Sequence, residues 1–422
     1  MEQSRRPFAG LLSFRKRALF FLAILGQGII TSVVDNDSTG IAGYSIAGAR
    51  FGYGLLWALL LSAIALAVIQ EMAGRMGAVT GKGLADLIRE QFGVRVTMVA
   101  MVALLVANAT TVVAEFAGVA AAAEILHVSR YIAVPVAALV VWFLVVWGSY
   151  RRVERILLAG SAIFLVYIVA GFVVHPDWHE VIRSSIVPSF HFSAGYLAVF
   201  IGLIGTTITP WMQFYQQATV VDKGIEANDY AYEQVDIWVG ALVLYIAAFF
   251  IIVVTGATLY VHQIPIDSAA DAAKALQPLA GRFAEYLFAI GLLNASLMAA
   301  AVLPLSTSYA LSEAFGWERG VNRGFREAPV FLGLYTGLIV FGALMALWPG
   351  APLFILLWLP NVVGGILLPV ILVLMLKLVN DRRLMGKWSN GPFRNAVAGS
   401  TAGAVVILTG IFLVVTVLSL FR

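Results

Sequence analysis

Asp35–Gly40 reads DNDSTG and interrupts an apolar run that starts near Ala18. Thr206–Pro210 reads TTITP and interrupts another that starts near Ala194. An aspartate inside a hydrophobic helix costs about 3 kcal/mol on insertion scales. Gly and Pro beside polar residues also strip backbone carbonyls of their helical partners. Such backbone survives at membrane depth only where it lines a cavity or is buried in protein. Two breaks in corresponding halves of one chain therefore predict an ion or substrate site near the bilayer midplane.

Composition agrees. Of 422 residues, 61% are hydrophobic and 12% charged, against about 45–50% and about 25% in soluble domains. A mean hydropathy of +0.92 requires many membrane spans, and no stretch is polar enough to form a separate soluble domain. The chain has no cysteine, which excludes disulfides, thiolate metal ligands and iron–sulfur clusters. Its basic pI reflects basic loops between spans and does not argue for nucleic acid. The first run follows Arg15, Lys16 and Arg17 like a signal peptide. It leads straight into DNDSTG with no small-residue cleavage site, so it reads as a span.

Eleven stretches are long enough to cross about 30 Å of hydrocarbon: 18–50 (broken), 54–77, 96–125, 131–149, 155–175, 194–222 (broken), 234–262, 281–313, 327–347, 352–378 and 396–421. With the N-terminus inside, all of the 27 Lys and Arg but Arg50, Arg130, Arg183, Lys274, Arg282 and Arg422 fall on the cytoplasmic side. Positive residues stay inside, so the N-terminus is expected in the cytoplasm and the C-terminus outside, in a prokaryotic plasma membrane. The breaks fall in spans 1 and 6. Spans 1–5 and 6–10 then form two five-helix units of opposite orientation, the inverted-repeat plan of LeuT-like transporters. The expected fold is thus an all-α, single transmembrane transport domain. Repeat one covers about 18–176, repeat two about 194–378, and an extra helix about 396–421.

At the first break, Asp37 supplies a hard carboxylate oxygen where the helix unwinds. Asp35, two residues earlier, points elsewhere on helical or extended geometry. The competing reading is local: Asp37, Ser38 or Thr39 caps the second half-helix. At the second break, Thr206, Thr207 and Thr209 offer hydroxyls. Pro210 has no N–H, so a carbonyl near Thr206 is free to bind a cation; the alternative is a simple kink with back-bonded threonines. Gln213, Gln216 and Gln217 follow, with Gln213 and Gln217 on one face, either lining an inner vestibule or packing on helix 1. A set of one carboxylate, hydroxyls and carbonyls suits Mg²⁺, Ca²⁺ or Mn²⁺ over copper or zinc. Few protein ligands favour Mg²⁺, which keeps much of its water.

These motifs resemble the NRAMP family of divalent-metal transporters. The similarity is closest in GARFGYGLLWALLL at 48–61 and TGKGLADL at 80–87. The family's DPGN falls on Asp37, Ser38, Thr39 and Gly40. Its second-break motif, typically GATxMPHN, falls on Gly205–Met212 (GTTITPWM). The resemblance implies metal contacts at Asp37, at the Thr206 carbonyl, at Thr209, and on helix 10 at Asn361, where the family has glutamine. It also marks departures. Gly40 stands for a metal-binding Asn, and Thr209 for a metal-binding Met. Trp211 and Gln216 stand for two histidines linked to proton movement. Val112 replaces one of two helix-3 acids, of which Glu115 remains. This pattern is similar to the NRAMP-related magnesium transporters, which take up Mg²⁺ and Mn²⁺. It implies a wider, harder site for a largely hydrated ion. Loss of groups that titrate near neutral pH implies no obligatory proton coupling.

Among the remaining intramembrane polar residues, Glu71, Gln70, Glu124 and Asn294 read first as helix–helix contacts. Trp178, Tyr196, Trp317 and Trp388 read as interfacial anchors. Two transport alternatives stay open: a proton-coupled Mn²⁺/Fe²⁺ symporter of the ordinary NRAMP type, and a Na⁺-coupled symporter of organic solutes. A cation sensor lacks a signalling domain, and no HExxH, paired-aspartate or Ser–His motif supports an enzyme. The expected partners are the cation and the bilayer, with no nucleic acid, obligatory protein partner or cofactor.

Overall fold

The structure is a computed structural model that describes residues 34–146, 164–227, 230–320 and 323–420. Residues 18–33 of span 1 and 155–163 of span 5 lie outside the described residues. Regular structure among the described residues is all helical. Its main helices are α1 Ser38–Phe51, α2 Leu56–Thr80, α3 Leu84–Ile125, α4 Arg130–Val146, α5 Phe164–Val173, α6 Trp178–Ile186 and α7 Ala194–Thr207. There follow α8 Pro210–Asp222, α9 Tyr230–Thr255, α10 Ala284–Phe315, α11 Pro329–Leu347, α12 Leu353–Asn380 and α13 Pro392–Leu420. Among the described residues, eight helical stretches are long and apolar enough to cross a membrane.

Span 6 divides as expected, into α7 and α8. On the described side of the first break, Val34 and Asp35 are helical, Asn36 and Asp37 bend, and α1 restarts the helix at Ser38. Three features differ from the sequence reading. Span 3 begins at Leu84 rather than near 96, because a short helix precedes Gly93. Gly93 takes φ 75° and ψ 175°, a conformation open to glycine, and turns that piece into the span. The amphipathic α6 has no counterpart among the expected spans; it is nine residues long, too short to cross. Tyr196 is buried rather than interfacial, and its hydroxyl donates to the Ser189 carbonyl at 2.7 Å.

Packing places both breaks in the interior. α3 is the central post, with α10, α12 and α11 along it, while α7 packs on α12 and α2 packs on α9 and α8. Small residues set the closest approaches, as expected where lipid supplies no hydrophobic drive between helices. A Cβ on Gly205 of α7 would run into the Asn361 carbonyl and stand 2.5 Å from the Gly365 nitrogen. One on Gly365 would stand 2.6 Å from the Ile201 carbonyl oxygen. These are backbone atoms and cannot move aside as a side chain can. Gly205→Ala or Gly365→Ala is expected to destabilise the protein by about 1–3 kcal/mol, read as a lower melting temperature in detergent. Gly337→Ala, where an added Cβ meets open space, is expected to melt like the wild type.

Candidate functional site

Asp37 is the N-cap of α1. Its Oδ1 accepts from the Gly40 amide at 2.8 Å and from the Thr39 hydroxyl at 2.6 Å. The capping reading of this residue is thus realised, and it occupies one carboxylate oxygen. At the second break α7 stops at Thr207, Ile208 leaves helical geometry (φ −124°, ψ 71°), and Thr209 is extended ahead of Pro210. Pro210 lacks the N–H that the Thr206 carbonyl would otherwise receive four residues on.

A side-chain hydrogen bond ties the breaks together: Thr209 Oγ1 donates to Asp35 Oδ1 at 3.0 Å. Asp35 Oδ2 is buried with no hydrogen-bond partner, as are Thr206 Oγ1 and Gln213 Oε1. The Gln213 amide nitrogen lies 3.5 Å from the Thr209 carbonyl. Gly40 faces both breaks, because a Cβ there would stand 3.0 Å from the Asp35 carbonyl oxygen and 3.6 Å from Thr206 Oγ1. Asn361, next to Pro360 in α12, donates from Nδ2 to the Thr39 carbonyl at 2.7 Å. Gly43 leaves the room for that amide, since its added Cβ would stand 2.7 Å from Asn361 Nδ2. From α3, Glu115 Oε2 accepts from Ser38 Oγ at 2.9 Å, while Glu115 Oε1 is buried without a hydrogen-bond partner.

The six positions singled out in the sequence, Asp37, Gly40, Thr206, Thr209, Asn361 and Gln213, thus gather around the paired breaks. Asp35 joins them. Its spacing from Asp37 pointed it elsewhere, but the chain bends between the two, and its partner Thr209 lies 174 residues away. Only the unusual placement of two acids in one apolar run signalled it. Gln216 and Gln217 turn away: Gln216 donates to Glu233 Oε1 at 2.9 Å and Gln217 to the Lys82 carbonyl at 2.8 Å. Among the described residues no Lys, Arg or His pairs with Asp35, Asp37 or Glu115. Nor does any group of three His, Cys, Asp or Glu there form a metal cage. The arrangement brings buried oxygens without hydrogen-bond partners to both breaks, acceptors that a cation or a water can pair.

Residues 28–415 match the family Nramp, described as natural resistance-associated macrophage protein-like. The chain belongs to the Nramp family. Relatives named divalent metal cation transporter MntH include that of Ralstonia nicotianae, 29% identical over 94% of this chain and 92% of the relative. That of Bacillus subtilis is 25% identical over 97% and 93%. Among solved structures, an Eremococcus coleocola manganese transporter superposes with a TM-score of 0.74 at 20% identity, covering 96% of this chain and 88% of that one. That likeness shows the fold, the all-α LeuT-like plan.

Two positions at which the resemblance sets histidines are both enclosed by the protein. Trp211 is buried against Tyr215, with ring centroids 6.0 Å apart. Gln216 is held by Glu233, whose other oxygen lies 3.4 Å from Lys223 Nζ. Asn361→Ala removes the side-chain amide that donates to the Thr39 carbonyl. It is expected to cost about 1–3 kcal/mol and to slow divalent-metal uptake in cells. Melting and uptake both at wild-type level would show that this contact does not support the break.

Proposed function

We propose that this Nramp protein carries Mg²⁺, and also Mn²⁺, into the cell as a largely hydrated ion without obligatory proton movement. The observation that carries the reading is the donor set at the paired breaks. Asp35 Oδ2, Thr206 Oγ1 and Gln213 Oε1 are buried oxygens without partners, and Thr209 occupies the place of a thioether. Soft sulfur favours transition metals, whereas carboxylate, hydroxyl and carbonyl oxygen suit Mg²⁺ and Mn²⁺. Gly40 contributes no side-chain ligand, and a site with few protein ligands suits Mg²⁺, which gives up its waters reluctantly. Asp37 and Asp35 supply charge; the Thr206 carbonyl, Thr209, Asn361 and Gln213 contact the ion or its water shell. The N-terminus is cytoplasmic, as the distribution of Lys and Arg requires.

Trp211 and Gln216 cannot titrate near neutral pH, and Val112 cannot titrate at all, so no relay through those positions exists. Uptake needs none. A membrane potential of about 100 mV is worth about 2.3 kcal/mol per charge, so a dication gains about 4.6 kcal/mol. That corresponds to accumulation of about 2,000-fold at equilibrium. The rival reading, a proton-coupled Mn²⁺ transporter, draws on Glu115, the retained helix-3 acid, which binds Ser38 beside Asp37.

Flux into proteoliposomes with an internal pH dye separates the two. Mg²⁺ entry without acidification, abolished in Asp37→Ala, is the expected result. Entry of Mn²⁺ alone, accompanied by acidification, sinks the proposal in favour of the rival. Rebuilding the narrower, softer site tests the same idea from the other side. The double variant Gly40→Asn and Thr209→Met is expected to lose Mg²⁺ flux, keep Mn²⁺ flux and gain Cd²⁺ competition. Undiminished Mg²⁺ flux in that variant would mean these positions do not set selectivity.

A further inference from the structure

Away from the breaks, α2 and α13 bury a charged cluster against the membrane. Arg394 Nε lies 3.1 Å from Glu71 Oε2, and Arg75 Nε lies 3.4 Å from Glu71 Oε1. The two arginines are not equivalent. Arg75 also donates to the Trp388 carbonyl at 2.7 Å and to Asn390 Oδ1. Arg394 has no further partner among the described residues, and its side chain remains 34% exposed. It lines a cavity of about 320 Å³ with Glu71, Val68, Phe393 and Trp238 of α9.

A second groove of about 660 Å³ lies between α2, α7 and α13, lined mainly by apolar residues such as Ile64 and Val397, with Thr401 among them. Ile64, Val68 and Glu71 recur at helical spacing on α2, as Arg394, Val397 and Thr401 do on α13, so each set shares a face. The path from Glu71 to Leu61 rises about 15 Å at 1.5 Å per residue, half of a hydrocarbon core about 30 Å thick. In a bilayer this apolar space is filled by an acyl chain.

The charge decides the headgroup. Glu71, Arg75 and Arg394 together leave one positive charge. The adjoining segment adds Lys377, Arg382, Arg383 and Lys387 against Asp381. Basic residues at this level attract anionic lipids, a free guanidinium fork matches phosphate oxygens, and Trp238 has the amphipathic character of an interfacial anchor. We infer that these two cavities, which follow one face of α2 and of α13, together hold one anionic phospholipid, with its phosphate on Arg394 beside Val68 and an acyl chain along Ile64, Val397 and Thr401. This lipid braces α13, which lies outside the two repeats, against α2.

Native mass spectrometry of the purified full chain, offered phosphatidylglycerol and phosphatidylcholine with identical chains, tests the site. Wild type is expected to retain phosphatidylglycerol about fivefold over phosphatidylcholine, the preference that one interfacial cation supplies. Arg394→Gln is expected to erase the preference. Because that change also breaks the pair with Glu71, Thr401→Trp provides a second route: it fills the groove, leaves the charges in place, and is expected to lose both lipids. Equal retention of the two lipids by wild type, or wild-type retention by Thr401→Trp, overturns the inference. Displacement of phosphatidylglycerol by glycerol phosphate at matched concentration also overturns it, by showing a soluble-phosphate site.

Discussion

A helix cannot be opened inside a bilayer without giving its freed backbone groups new partners, because hydrocarbon offers none. This constraint governs the centre of the molecule. Asp37 caps α1 and takes the Gly40 amide. Asn361 reaches from α12 to the Thr39 carbonyl. Pro210 removes one N–H at the second break, so one fewer donor needs a partner there. The surrounding helices exist in part to supply these contacts at the right depth. Gly43, Gly205 and Gly365 let α1, α7 and α12 come close enough for a short amide side chain to span the gap.

The same bonds couple the two breaks to any ion between them. Thr209 spends its hydroxyl proton on Asp35 Oδ1. A cation at Asp35 competes with that proton for carboxylate charge, and it attracts the oxygen of Thr209 as well. On the proposed reading, an ion at Asp35 would weaken the side-chain bond between the breaks and take its place. Hard, small ligands suit this exchange: a hydroxyl turns from donor to acceptor by rotation alone, with no rearrangement of backbone.

The breaks are legible in the sequence because a membrane tolerates clustered polar residues, Gly and Pro within an apolar run chiefly where a helix opens. Most spans are legible from their length and hydropathy. The start of α3 is not, since the turn at Gly93 depends on a left-handed backbone that no hydropathy window registers. Asp37, Gly40, Thr206 and Thr209 can be named from the motifs; Asp35 can be named too, but not its direction. Its partner is 174 residues distant, and Glu115 meets Ser38 across 77. Such pairs are set by how α3 and α7 pack on α1, which local sequence does not encode. Glu71 likewise reads as a generic polar contact in the sequence, and only the fold brings Arg394 beside it.

Glu71 and the acids at the breaks show why burial alone does not mark a functional site. All are buried carboxyls in membrane helices. Glu71 is faced by two guanidinium groups, which offset the cost of removing its charge from water. Asp35, Asp37 and Glu115 have hydroxyls and amides but no basic partner among the described residues. A charge kept at that depth without a counter-ion is far too costly to be structural. Either a proton or a metal cation must complete the site for part of its cycle. Each acid can take a proton of its own, whereas one dication offsets two carboxylates at once; Asp35 Oδ2 and Glu115 Oε1, buried without hydrogen-bond partners, are the oxygens that either would pair.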